Sequence, residues 1–231
     1  MTGLQRVDAV DLTRVWGRRF ALRNATFSLG TGSVTALIGG NGAGKSTTFN
    51  LLAQRLAPTR GHVLFDGQPA GRSQAERRMC GYLSHKSFLY SDLTAVENLA
   101  LTAGLYRLEA SEPAPLLKRV GLARHGDRLV REYSRGMVQR LALARLLLVD
   151  PCLWLLDEPA TGLDQSGRSW LVEELASLRE EGKIIALSSH SRPFLRSVAT
   201  HAVVLKRGLV VASGAVESPE AVDALFEEHV V

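Results

Sequence analysis

The sequence predicts an α/β fold: a parallel sheet with crossover helices, interrupted by a helical insertion. Three observations lead there. Short apolar runs suited to strands alternate with helical patterns, a glycine-rich turn joins one such run to a helix, and the stretch from about 92 to 148 is helical by pattern. In order, VTALIG (34–39) reads as a buried strand, followed by the glycine-rich turn and a helix from about Lys45. GHVLFDG (61–67) reads as a strand between turns. A further strand ends at Ser84, and a helix begins near Thr94, where Thr94 and Glu97 form a T-x-x-E capping box. CLWLLD (152–157), KIIALSS (183–189) and HAVVLK (201–206) return as strands. In SPEAVDALFEEH, Ser218 is the expected N-cap and Pro219 the first residue of a C-terminal helix.

Composition narrows the function classes. A chain of 231 residues suffices for one sizeable core with a smaller lobe. No apolar stretch approaches the roughly 18 residues a membrane span needs. The richest, LALARLLLV (141–149), is too short and carries Arg145. The opening MTGLQRVDAVDL lacks a basic region followed by an apolar core, so no secretory signal is expected. Cys80 and Cys152 stand without metal-ligand spacing in apolar segments and read as buried thiols of a reducing compartment. The net charge of +5 permits an acidic partner, but the basic residues are scattered and read as solvated surface. No nucleic-acid partner is expected.

The decisive motif is GGNGAGKS, from Gly39 to Ser46, which fits G-x-x-x-x-G-K-[ST]. Its glycines let backbone N–H groups turn inward around phosphate oxygens, and the helix that follows presents its N-terminus to the same charge. Gly39, Gly40, Asn41, Gly42, Ala43, Gly44, Lys45, Ser46 and Thr47 are therefore the expected nucleotide-binding loop. Lys45 would reach the β- and γ-phosphates, and the Ser46 hydroxyl would serve Mg²⁺. Such a site needs an acid at the end of another strand, and LWLLDEP supplies Asp157 and Glu158. Asp157 would hold Mg²⁺, usually through water, because Mg²⁺ dehydrates reluctantly. Glu158 is placed to polarise a water for in-line attack on the γ-phosphate. KIIALSS delivers His190 to the same sheet edge, where an imidazole would orient that water. No N-K-x-D guanine-reading motif is found, which disfavours a GTPase.

With GGNGAGKST, LLDEP, TGLD and SSH in this order and spacing, nearly the whole chain resembles the nucleotide-binding subunit of ATP-binding-cassette transporters. The resemblance implies a P-loop NTPase (RecA-like) core, a small antiparallel β subdomain and a helical signature subdomain, with ATP as substrate and Mg²⁺ as cofactor. It implies one cassette over 1–231, with 1–88 and 150–213 as core, 89–149 as helical subdomain and 214–231 as C-terminal helix. Relatives carry an LSGGQ-like signature where this chain reads YSRGMVQRLALAR, with Tyr133, Arg135 and Met137 departing from the pattern. Two subunits pair head to tail in the family, so Ser134 and Gly136 would contact the partner's γ-phosphate, and Asp164 of TGLD would lie at the dimer seam, with a turn or helix-cap residue the plain alternative. The family's adenine-stacking aromatic matches Trp16 in RVWGRRF, with Phe20 the other candidate and a core position the plain alternative. His85 stands where relatives carry a glutamine that touches Mg²⁺ and the attacking water. The resemblance gives it a role through a water, and a solvent-facing loop histidine is the alternative.

GYLSH, LTAVENL and the YSRGM signature look most like the haem-exporter ATPase of cytochrome c maturation. ATPases of drug, lipid or polysaccharide exporters also favour such a signature and stay open. So does a soluble mechanical ATPase of similar core acting on nucleic acid or ribosomes, although the coiled coils, second cassette or zinc modules of such proteins are not visible. The implied partners are a second ATPase subunit and integral membrane permease subunits, which places the chain peripherally on the cytoplasmic face of the cell membrane. The apolar loop of Phe88, Leu89, Tyr90 and Leu93 beside His85 suits a groove for a partner's helix, or internal packing.

Overall fold

Strands with every residue buried form the centre of the molecule, and their alternating side chains feed two different cores. In the computed structural model, which describes residues 3–71, 73–84, 86–108 and 113–230, His85 lies outside the described residues. The chain opens with β1 (Arg6–Trp16), β2 (Arg19–Gly30) and β3 (Ser33–Ile38), then α1 (Lys45–Leu52), β4 (Arg60–Phe65) and β5 (Gln68–Pro69). There follow α2 (Gln74–Met79), β6 (Cys80–Leu83), α3 (Ala95–Tyr106), α4 (Pro113–Arg119), two short 3₁₀ turns and α5 (Arg135–Val149). The last third is β7 (Leu153–Asp157), α6 (Gln165–Glu180), β8 (Ile184–Ser188), α7 (Arg192–Val198), β9 (His201–Lys206), β10 (Leu209–Ala215) and α8 (Pro219–His229). Among the described residues, the stretch from about 92 to 148, expected to be helical by pattern, holds α3, α4 and α5 and the 3₁₀ turns.

Two sheets result. A six-stranded sheet has the order β10-β9-β3-β8-β7-β6, parallel except for the β9–β10 hairpin. A four-stranded antiparallel sheet has the order β2-β1-β4-β5. The period-2 alternation of a strand decides the layering. In β7, Leu153 and Leu155 join a core with α1 and the antiparallel sheet, whereas Trp154 and Leu156 join α5, α6, α7 and α8 on the opposite face. The parallel sheet is therefore covered on both faces, as strands with no polar side demand. A third apolar cluster, including Leu99, Leu117, Leu141 and Leu148, joins α3, α4 and α5 into a helical lobe.

Local chemistry sets the element ends. The Thr94–Glu97 capping box is present: Glu97 N–H donates to Thr94 Oγ1 at 3.1 Å and Thr94 N–H to Glu97 Oε2 at 2.7 Å. A second box, Ser73 with Glu76, starts α2. Ser218 occupies the N-cap of α8, but its hydroxyl accepts no capping bond from the helix. β10 runs to Ala215, past the boundary expected at 213. Cys80 and Cys152 are free thiols and only partly buried. Burial, then the neighbouring Cys152 and Glu76, pushes the Cys80 thiol up to about 12, so it stays protonated near neutral pH.

Candidate functional site

The carboxyl ends of β3, β7 and β8 meet at one edge of the parallel sheet, where the loop from Gly39 to Gly44 runs into α1. Two glycines there are required by geometry. At Gly39 a Cβ would overlap the carbonyl oxygen of Leu205. Gly44, the N-cap of α1, has φ 114°, and a Cβ on it would meet the Ala21 carbonyl at 2.7 Å. The second contact packs the antiparallel sheet onto the loop, which places the β1–β2 hairpin tip beside it. Lys45 Nζ donates to the carbonyls of Gly39 (2.6 Å) and Gly40 (3.2 Å). Burial lowers the Lys45 pKa, an effect that the nearby carboxylates of Glu158 and Asp157 oppose.

Asp157 ends β7 and is buried. Its two oxygens are held separately: Ser46 Oγ donates to Oδ2 at 2.8 Å and Ser188 Oγ to Oδ1 at 2.6 Å. Glu158 follows in a left-handed conformation with φ 58°. Its N–H is shared between the carbonyl and hydroxyl oxygens of Ser188, each at 3.2 Å. One carboxylate oxygen, Oε2, lies 3.5 Å from both Thr161 Oγ1 and Ser189 Oγ. The other, Oε1, is buried without a hydrogen-bond partner and stands 3.6 Å from His190 Nε2, beyond hydrogen-bond length.

Asp157, Glu158 and His190 line one cleft of about 630 Å³ with Trp16, Arg19, Phe20, Ala21 and the residues from Gly40 to Thr47. Trp16 is not a core residue: it is 53% exposed, Phe20 is 52% exposed, and Arg14 covers one face of the indole at 4.0 Å. An aromatic pair, a nest of backbone donors at a helix N-terminus, a half-buried lysine and two carboxylates suit a nucleoside polyphosphate, with groups fit for hydrolysis at its phosphate end. The chain matches the family model described as ABC transporter over residues 22–161, which runs from β2 through Glu158 and Pro159. The chain belongs to the ABC transporter family. As a member it binds ATP and hydrolyses it.

The lantibiotic transport ATP-binding protein of Streptococcus pyogenes is 33% identical to this ABC ATPase over 221 residues, covering 96% of each chain. The cytochrome c biogenesis ATP-binding export protein of Pseudomonas aeruginosa is 36% identical over 201 residues, 84% of this chain and 97% of that one. Among solved structures, a dimeric ATP-binding cassette in a post-hydrolysis state, bound to ADP and phosphate, superposes with a TM-score of 0.81 at 27% identity. That match covers 90% of this chain and 98% of the other.

Not every residue singled out in the sequence lines the cleft of this ABC ATPase. Ser134 and Gly136 lie elsewhere, at the start of α5, where Ser134 Oγ accepts the Met137 N–H at 3.3 Å. Asp164 caps α6, is 70% exposed, and accepts from Gly167 N–H (2.9 Å), Ser166 Oγ (2.9 Å) and Arg140 Nη2 (3.0 Å). Those bonds, led by the Gly167 N–H, hold its carboxyl below the usual range. Sequence reasoning missed Ser188, Gln139 and Arg140. Ser188 was findable, since it stands directly opposite Asp157 in the β7–β8 register.

Oxygen donors dominate the phosphate end of the cleft. Ser46 and Asp157 suit a hard cation such as Mg²⁺, which fills the rest of its shell with water and phosphate oxygens. Among the described residues no cluster of three or more His, Cys, Asp or Glu competes for that role.

Proposed function

We propose that this ABC ATPase drives a membrane exporter as one half of a head-to-tail pair, with haem for cytochrome c maturation as its cargo. The observation that carries the hydrolytic part is the convergence of Ser46, Asp157, Glu158 and His190 on the phosphate loop. Backbone N–H groups from Gly39 to Thr47 cradle the phosphates, and Lys45 moves from the loop carbonyls to the β- and γ-phosphates. Ser46 and Asp157 hold Mg²⁺, which when bound supplies positive charge to the phosphate oxygens. Glu158 Oε1, an acceptor without a donor, is the atom available to take a proton from the attacking water. His190, 60% exposed, orients that water or the γ-phosphate. His85 acts through a water in the same reading. Trp16 stacks on adenine with the ring face that Arg14 leaves open.

In the paired state a second copy completes the cleft. Ser134 and Gly136, at the positive N-terminal end of α5, reach it from the partner, and Asp164 lies on the seam. Within each copy, 1–88 with the strands from 150 to 215 serves as the nucleotide core, 89–149 as the helical lobe and α8 (Pro219–His229) as the closing helix.

The membrane partner docks in a groove of about 590 Å³ between core and helical lobe, lined by Arg55, Tyr82, Phe88, Tyr90, Leu105 and Arg145. Phe88 and Tyr90 are exposed there, whereas Leu89 packs inward against the cores. Arg55 lies over both Tyr82 and Phe88, at 5.3 and 4.7 Å. Among the described residues no helix is long and apolar enough to cross a membrane. In this reading permease subunits supply the membrane path, as family membership supports, and the chain sits on their cytoplasmic side.

The cytochrome c relative and the GYLSH, LTAVENL and YSRGM stretches support haem as cargo. The lantibiotic relative, matched over 96% of this chain, favours a second reading in which the same machine exports another molecule. Deleting the gene separates them. Loss of covalently haem-bearing c-type cytochromes with b-type cytochromes intact is expected. Normal c-type cytochromes with altered peptide or drug tolerance, or altered surface polysaccharide, moves the cargo to the second reading.

A further inference from the structure

Glu158 is held on two sides by different parts of the fold. Upstream, β8 grips its N–H through Ser188. Downstream, the carbonyl of the next residue, Pro159, accepts from Gln139 Nε2 at 2.8 Å. Gln139 belongs to α5, whose N-terminal end begins at Ser134. Two more contacts join the same stretch of α5 to the loop after Glu158. Gly136 lies so close to the Gly162 carbonyl that a Cβ would meet it at 2.7 Å, and Arg140 Nη2 reaches Asp164 Oδ1 at 3.0 Å. Loop 159–164 is therefore fastened to α5 at its start, middle and end.

We infer that Gln139 is a positioning residue for Glu158, holding the turn that aims the carboxylate and tying that turn to the signature end of α5. Glu158 adopts a left-handed backbone, which a residue with a side chain keeps only when its surroundings over-determine it. Within the turn the Thr161 N–H donates to the Glu158 carbonyl at 3.2 Å, whereas the Pro159 carbonyl is held from outside the turn, by Gln139, and losing that hold would let Glu158 shift off the line of attack. Proximity and orientation are costly to lose at a general base. A consequence follows for the pair of subunits. A displacement of the Ser134 end of α5 by nucleotide in the opposite cleft passes through Gln139 to the carboxylate of its own cleft. The inference rests on Glu158 serving as the base.

The experiment compares steady-state ATP hydrolysis by the parent, Gln139→Leu, Gln139→Lys, Glu158→Gln and the Gln139→Leu/Glu158→Gln double variant, with melting temperatures for each. Gln139→Leu keeps the bulk and removes the donor, so kcat falls about tenfold, a fraction of what general-base catalysis supplies, while KM for ATP stays near the parent value. Gln139→Lys, which keeps a donor of similar reach, recovers most of kcat. In the Glu158→Gln background, Gln139→Leu adds little further loss, because both act on the same step. A Gln139→Leu kcat equal to the parent overturns the inference. So does a loss that Gln139→Lys does not restore, or one that multiplies undiminished onto Glu158→Gln. If Glu158→Gln itself hydrolyses at the parent rate, the reading of Glu158 as the base has failed, and that outcome is distinct from failure of the tether alone.

Discussion

Ser188 and Asp157 stand opposite one another on adjacent parallel strands, and the serine hydroxyl donates to Asp157 Oδ1 at 2.6 Å while Ser46 takes the other oxygen. One carboxylate thus spans β8 and the start of α1, and its orientation is fixed before any cation arrives. Removing the serine hydroxyl leaves the buried Asp157 oxygen without its donor.

Ser188→Ala is accordingly expected to destabilise the chain by about 1–3 kcal/mol, the cost of leaving a buried acceptor unpaired. Mg²⁺-ATP should bind several-fold more weakly, whereas ATP measured in excess chelator should bind as to the parent. Equal weakening with and without Mg²⁺ removes Asp157 orientation as the cause.

Glu158→Gln should retain ATP binding and slow hydrolysis by on the order of 10² or more, the scale of general-base catalysis. ATP-dependent dimers should then accumulate, visible by size-exclusion chromatography. Turnover at the parent rate takes Glu158 out of the proton-transfer role.

At the adenine end, Trp16→Ala should weaken ATP and ADP alike by roughly two- to tenfold, since losing an aromatic stack costs roughly 0.5–1.5 kcal/mol. Trp16→Phe should fall between. If Phe20→Ala instead carries the loss in a titration of nucleotide affinity, the platform is the other aromatic at the same hairpin tip.

Why these groups were legible in sequence, and others were not, follows from the reach of their determinants. The phosphate loop, Asp157, Glu158 and the buried strands are local: glycine spacing, an apolar run and the acid that ends it suffice. The T-x-x-E cap of α3 is equally local. The β1–β2 pairing was not read, because β1 and β2 expose many residues and their register is broken by irregularities between Ala9 and Val15. Gln139 was missed for a different reason. Its meaning depends on a carbonyl twenty residues away in the sequence, which helix periodicity alone does not reveal.

The capping box at α3 makes a pH prediction. The Thr94 N–H, then the Thr94 hydroxyl, hold the Glu97 carboxyl below its usual range. A depressed folded pKa means that the stabilisation is present above the unfolded value, about 4.3, and is lost as pH falls through the folded value. The melting-temperature gap between the parent and Glu97→Gln should therefore favour the parent at neutral pH and narrow as pH drops below about 4.3. A gap constant from pH 7 to pH 3 would mean that the charge contributes nothing to the cap.

Arg119 of α4 and Glu174 of α6 join the helical lobe to the layer beneath the parallel sheet. Arg119 Nη2 and Nε donate to the two carboxylate oxygens at 2.5 and 3.1 Å, and this pairing raises the guanidinium pKa. The partners differ in exposure: Glu174 is 9% exposed and Arg119 is 44% exposed. Solvent screens the arginine end, so the pair is worth less than a fully buried one, while Glu174 alone would be a buried charge without compensation. Arg119→Ala should therefore cost about 1–3 kcal/mol in chemical denaturation. Glu174→Leu added to it should return part of that loss, since an apolar side chain at this position carries no charge to desolvate. A double variant no more stable than Arg119→Ala would show that the lost contacts are packing along the arginine stem rather than the stranded carboxylate.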